Sequence, residues 1–318
     1  MLQRNPKSAP FSAHPILVRF TAMPDRLRAI LLMCTAVTLF SCLDSTAKYL
    51  VTTTQLPVSQ VVWLRFVGQF ILMAAILGPL TIPSLLRTQK LGLQITRSFL
   101  MVGTTICNFI AVKYLRLDQT ISIAFLAPLV VAALAGPLLG EYIGWRRAAA
   151  IVVGFLGILI VVRPGVTEVH PAFAVAFLSM LIYALFMLLT RKLSTFDPPL
   201  VTLFYALLVG TFGGAIIAIP QWVWPTDAFQ WLTLLSLGAF GGLGHYLLIL
   251  AYRIAPASSV SPFLYFQIIS MVGLGYLIFG DVPDLWTLAG SAIVIASGIY
   301  LVHRERVTAI IEARKLLT

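Results

Sequence analysis

From residue 28 to residue 302 the chain alternates long apolar runs with short polar breaks. The runs lie at 28–50, 61–80, 95–115, 119–140 and 147–163, and again at 172–190, 199–219, 230–252, 257–279 and 286–302. An α-helix needs roughly 20 predominantly apolar residues to cross a bilayer. The pattern therefore predicts an all-α membrane protein with ten transmembrane helices, spans 1 to 10. No break is long enough to hold a soluble domain, so the functional apparatus is expected within the membrane. Pro57, Pro83, Pro164, Pro171, Pro198, Pro199, Pro220, Pro225 and Pro283 fall between spans or at first turns, where a missing N–H costs little. Pro128, Pro137 and Pro262 fall inside runs, where a freed carbonyl must be met by a neighbouring helix or a water-filled cavity.

Composition supports the same class. Apolar residues make up 59% of the chain and charged ones 10%, against about 25% charged in soluble domains. The net charge of +11 does not point to nucleic acid, because the basic residues sit at the ends of apolar runs instead of among exposed aromatics. With the N-terminus in the cytoplasm, 17 of the 22 Lys and Arg residues, Arg97 among them, fall in inside segments. Three (Lys113, Arg116 and Arg163) fall outside, and Lys48 and Arg65 lie within spans. This asymmetry predicts cytoplasmic N- and C-termini. It also requires an even number of spans, since Arg304 to Lys315 returns to the side of Arg4. Residues 1–27 read as a cytoplasmic tail, with Met23 an alternative start, and 305–318 as a second tail. Cys34, Cys42 and Cys107 lie inside apolar runs without disulfide or metal-ligand spacing.

The two halves repeat. Residues 111–141 align without gaps on 251–281, so that Ala111 matches Ala251, Lys113 matches Arg253, Gly140 matches Gly280 and Glu141 matches Asp281. After a one-residue shift, GILIVVR at 157–163 matches GIYLVHR at 298–304. Five spans per copy is an odd number, so the copies must point in opposite directions across the membrane. The units are 28–165 and 171–304.

Several motifs carry a family resemblance: LGE at 139–141, GFLGILIVVRPG at 154–165 and LIFGD at 277–281. With them the chain resembles the drug/metabolite transporter superfamily, in the branch of bacterial permeases with two EamA-type repeats. DSTAKYL at 44–50 and PVSQVVWLRF at 57–66 look most like the riboflavin and S-adenosylmethionine uptake permeases. Gly-Asp in place of Gly-Glu in copy two, and Ile268 opposite Pro128, depart from the repeat's pattern. The resemblance implies a secondary transporter of a small organic metabolite in a bacterial inner membrane. Riboflavin or a similar ring-containing solute is the specific expectation, and export of amino acids or drugs on the same fold the alternative. A homodimer is compatible with it.

No enzyme is expected and no cofactor is implied: no HExxH, GxSxG or phosphate-binding loop is present. On span 1, Thr38, Ser41, Asp44, Ser45 and Lys48 share one helical face. Asp44 and Lys48 read as an i,i+4 pair that either lines a cavity or serves as a structural ion pair. Asp44 is the carboxylate that proton coupling would use. Arg65 either completes a charge cluster with them or snorkels to the interface. Asn108 on span 3 reads as cavity-lining, beside Gly103, Thr104 and Thr105. His245 follows a run of glycines on span 8, either as a packing residue or at the site. Span 9 carries Ser258, Ser259, Ser261, Tyr265, Gln267 and Ser270 and reads as pore-lining. Tyr183 and Tyr205 either stack on a planar solute or pack in the core.

Overall fold

The computed structural model describes residues 23–78, 81–139, 145–164, 169–255 and 260–315, and ten helices stand where the ten apolar runs lie. They are α1 (Asp25–Thr52), α2 (Val58–Leu77), α3 (Leu91–Tyr114), α4 (Leu117–Ala124 continued by Ala127–Leu139) and α5 (Trp145–Val162) in the first repeat. The second holds α6 (Ala172–Leu193), α7 (Pro199–Gln221), α8 (Ala228–Ile254), α9 (a 3-10 turn Ser261–Tyr265 leading into Phe266–Phe279) and α10 (Leu285–Lys315). Among the described residues nine of these are long and apolar enough to cross a membrane, and the apolar stretch of α5, Ala148–Val162, is shorter. Most of the expected N-terminal tail, the Gly140–Glu141 end of the first copy, and Ser258 and Ser259 lie outside the described residues. Helix α10 runs on to Lys315, so the segment after 304 continues the last helix where a separate tail was expected.

The packing is that of an inverted repeat. Helix α1 packs on α8, and its counterpart α6 packs on α3. The contacts of α2 with α8 and of α1 with α9 are matched by α7 with α3 and α6 with α4, while α5 packs on α10 and α4 on α9, each pair mapping onto itself. The gapless alignment places Phe125 opposite Tyr265, and these two rings meet edge to face with centroids 4.8 Å apart. A residue touching its own counterpart marks the pseudo-two-fold axis. Both discontinuous helices break there. Helix α4 is interrupted at Phe125–Leu126, where Pro128 leaves the Ala124 carbonyl without its helical donor. Helix α9 changes from 3-10 to α winding between Tyr265 and Phe266 without a proline at the matching site. Pro262, expected inside span 9, instead occupies the first turn of that 3-10 segment, where its missing N–H costs little.

Helix association in lipid depends on close packing, since lipid tails are as apolar as leucine. The chain meets this with glycines at crossings. A Cβ on Gly238 of α8 would lie 2.6 Å from the Gly68 Cα of α2, and one on Gly290 of α10 would lie 2.5 Å from the Gly157 carbonyl oxygen of α5. In α7 the Phe66 ring lies against Gly210, within a single π turn over Val209–Gly213. The Trp63 indole donates to the Thr211 carbonyl at 2.7 Å, supplying a donor where the i→i−4 ladder is broken.

The two ends of the bundle differ. At the end where α1 finishes, the far end, Trp63, Trp222, Trp224 and Trp231 form an aromatic cluster, the kind of belt found at a membrane–water interface. Arg163 at the end of α5 donates to Asp284 ahead of α10 at 2.7 Å. At the near end Asp197, between α6 and α7, accepts from Thr88, from the Gln89 N–H at 3.1 Å and from Gln94 at 2.9 Å. Burial opposes its ionisation, but these donors prevail and hold its carboxyl below the usual range.

Candidate solute site between the repeats

The polar face of α1 is divided among three neighbours. Its lower part docks α9: Thr38 shares a hydrogen bond with Ser270 at 3.1 Å, and Ser41 donates to the carbonyls of Val37 (3.0 Å) and Gln267 (3.4 Å). Ser45 donates back to Ser41 at 2.8 Å. Asp44 turns to α3, where the Asn108 amide donates to it at 3.0 Å.

Lys48 donates to Asp281 at 2.9 Å and to the Leu115 carbonyl at 3.2 Å, with Phe279 under the ammonium. Asp44 and Lys48 therefore do not form the i,i+4 pair their spacing suggested. An i,i+4 pair is worth only ~0.2–0.5 kcal/mol. Each charge meets a better partner on another helix, and Leu115 caps α3 with a carbonyl that has no intrahelical donor. Gly280 makes the second pairing possible. Its φ of +70° ends α9 in a left-handed turn that folds Asp281 back toward the Gly275 carbonyl and α1.

One turn deeper on the α2 side, the Arg65 guanidinium donates to Thr105 of α3 at 2.7 Å and lies over the rings of Phe66 and Phe109. Asp44 attracts it electrostatically without a direct ion pair. Gln69 follows on the same face of α2. It is 1% exposed, and among the described residues neither atom of its amide has a hydrogen-bond partner; nor has the buried Arg65 Nε. Both side chains face Gly241 of α8, whose missing side chain leaves them room. His245, one turn along α8, packs edge to face on Phe40 at 4.9 Å and lies within electrostatic range of both Arg65 and Arg97.

Arg97 corrects the sequence reading. It was placed in a basic segment outside the membrane, yet it is buried within α3. There it donates to the Thr190 hydroxyl at 2.7 Å and the Thr202 carbonyl at 3.0 Å, above the Phe186 ring. Tyr183 stacks beside Phe186.

Asp44, Arg65, Asn108 and His245 thus come together between the repeats, while Tyr183 lies further along α3, by Arg97. Lys48 belongs to the ion pair at the far end. Tyr205 does not join them: it is buried and donates to the Leu86 carbonyl at 2.7 Å, tying α7 to the segment after α2. Tyr265 is buried on the pseudo-two-fold axis, over Gly298. Gln267 contributes its backbone carbonyl to Ser41. Sequence reasoning missed Gln69 and Arg97 and passed lightly over Thr105. The signal was present on α3, where Gln94, Arg97, Met101, Thr105 and Asn108 recur every three or four residues along one face.

Ten apolar helices in two inverted units, with charges buried between them, define a polytopic membrane transporter. The chain belongs to the EamA-like transporter family, which matches residues 27–163 and 170–303. It is a transporter and not an enzyme, and it handles a small-molecule solute across a lipid bilayer. It is 29% identical to the riboflavin transporter of Vibrio cholerae serotype O1 over 280 residues, 88% of this chain and 94% of the relative. It is 27% identical to the S-adenosylmethionine uptake transporter of Rickettsia prowazekii over 58% of this chain and 62% of the relative. It is 26% identical to the pseudopaline exporter of Pseudomonas aeruginosa over 70% of this chain and 78% of that protein. A solved crystal structure shares the fold with a TM-score of 0.57 at 19% identity, covering 91% of this chain and 99% of the other.

Proposed function

We propose that the chain is a secondary permease that takes up riboflavin or a similar ring-containing metabolite by alternating access, with both termini in the cytoplasm. The observation that carries this reading is the part-buried polar cluster of Asp44, Asn108, Arg65 and His245. It is supplied by α1, α2 and α3 of one repeat and α8 of the other. In an inverted-repeat transporter, rocking one unit against the other exposes such a site alternately to the two sides. Tyr183, Phe186 and Phe40 line the same region and suit a flat ring system. The similarity to a riboflavin transporter over most of both chains supports the choice of solute, and the distribution of Lys and Arg supports the orientation. A proton-coupled cycle would use Asp44, and uniport without coupling is equally compatible with the cluster.

The test is growth of a riboflavin auxotroph at limiting vitamin. Expression of this chain should restore growth and saturable uptake of labelled riboflavin; absence of both would refute the choice of solute. Export on the same fold is the second reading, favoured by the similarity to the pseudopaline exporter. Loaded vesicles separate the two by the direction of net flux.

A further inference from the structure

The charge of Arg97 is not matched by the protein around it. Arg97 is 6% exposed, and an ionisable side chain at membrane depth normally pairs with an opposite charge or serves a solute pathway. Among the described residues the groups that touch it are neutral: the Thr190 hydroxyl, the Thr202 carbonyl and the Phe186 ring. No carboxylate among the described residues lies within ion-pair distance of it. Asp197 reaches the same Thr202 only through Gln94, and its oxygens are taken by Thr88, Gln89 and Gln94. Arg65 differs, because Asp44 acts on it. Among the described residues the Nε and Nη1 of Arg97 are used, and no acceptor for Nη2 is found.

Beside it there is open space. Tyr183 sits in the middle of α6, flanked by the fully packed Met180 and Ala184, yet 40% of its own surface remains accessible. It lies within electrostatic range of Arg97 and of Tyr252 from α8. A fixed guanidinium, an accessible phenol and no described carboxylate within ion-pair distance together suit an oxyanion.

We propose that Arg97 and Tyr183 form an anion subsite that takes a carboxylate or phosphate group of the transported solute. It rests on the reading of this interior as a metabolite site and sits about 12 Å along α3 from the Arg65–Thr105 level, at 1.5 Å per residue. The solute would span the two levels, with its polar ring edge at Arg65 and Asn108 and its anionic group at Arg97. The Arg97 contacts to Thr190 and Thr202 hold the guanidinium in place, so binding the anion orders little else.

Two pairs of probes that each differ by an anionic group test this on the full-length purified chain: riboflavin against riboflavin 5′-phosphate, and decarboxylated S-adenosylmethionine against S-adenosylmethionine. In at least one pair the anionic member should bind about tenfold tighter, and R97Q should remove that difference. The phosphate pair and the carboxylate pair report separately which oxyanion fits. R97K, which keeps the charge and loses the fork, should retain part of the preference and serves as the folded control if R97Q does not insert. Equal affinities within both pairs would overturn the proposal, as would a preference that persists in R97Q, or in R97K at full strength. If neither flavin binds while the S-adenosylmethionine pair discriminates through Arg97, the riboflavin reading fails and the subsite stands.

Discussion

The first repeat carries Asp44, Lys48, Arg65 and Arg97 inside its helices; in the second, the facing helices offer His245, Tyr183 and the glycines 238, 241, 242 and 244. The two units nevertheless pack as inverted copies, with α1 on α8 matched by α6 on α3. Fold symmetry and chemical symmetry have therefore separated. Helix crossings need small side chains and complementary ridges, which both copies provide. A solute with two different ends needs charge on one wall and a smooth, aromatic wall opposite. The glycines of α8 serve both purposes, since they admit Gly68 and Phe40 closely and let Arg65 and Gln69 pack against Gly241. The symmetric elements, α4 with α9 and α5 with α10, contain the axis contact of Phe125 and Tyr265 and the Gly157–Gly290 crossing.

The largest effect is expected where the second repeat's smooth wall is disturbed. In Gly238→Leu the new side chain would meet the backbone of Gly68 and Gln69, so α2 and α8 must separate. Loss of most folded protein in detergent, read by size-exclusion chromatography, is the expected result; a normally folded G238L would show that the crossing is not tight. Next is the charged wall. Asp44→Asn keeps the shape and the Asn108 contact region but removes the anion opposite Arg65, and transport should fall at least about tenfold with normal insertion. Unchanged transport across pH would reduce Asp44 to a structural residue.

A smaller effect is expected where the repeats are tied at the far end. K48M and D281N should each destabilise by about 1–3 kcal/mol, discounted because the Asp281 side chain is 24% exposed. The double variant should cost less than the sum, and strict additivity would show that the pair does not couple the repeats. The smallest effect is at the near end. The carboxyl of Asp197 is held below the ordinary carboxylate range when folded, so its contribution is present above about pH 4 and is lost as the pH falls through the folded value. Thermal stability measured on acidification should fall less steeply in D197N than in the parent chain, and superimposable curves would contradict this.

Much of the fold was legible in the chain because the bilayer imposes a one-dimensional rule: about 20 apolar residues make a crossing, and backbone groups must bond within the helix. Ten runs, an even count from the placement of Lys and Arg, and a gapless repeat gave the inverted architecture; that the matched residues 125 and 265 meet on the axis only the structure showed. Side-chain pairing was another matter. Asp44 and Lys48 look like partners along one helix, but tertiary packing brings Asn108 and Asp281 within reach, and cross-helix bonds prevailed over a weak local pair. Arg97 sits near the edge of its apolar run and reads as interfacial; only the approach of α6 and α7 encloses it. Tyr205 and Tyr265 look alike as aromatic residues on apolar helices, and only the neighbours decide that both pack while Tyr183 stays accessible. Hydropathy along the chain thus determined which segments enter the membrane and how they repeat. Which buried charges meet one another depends on the angles and register between helices, and the tertiary structure alone decided that.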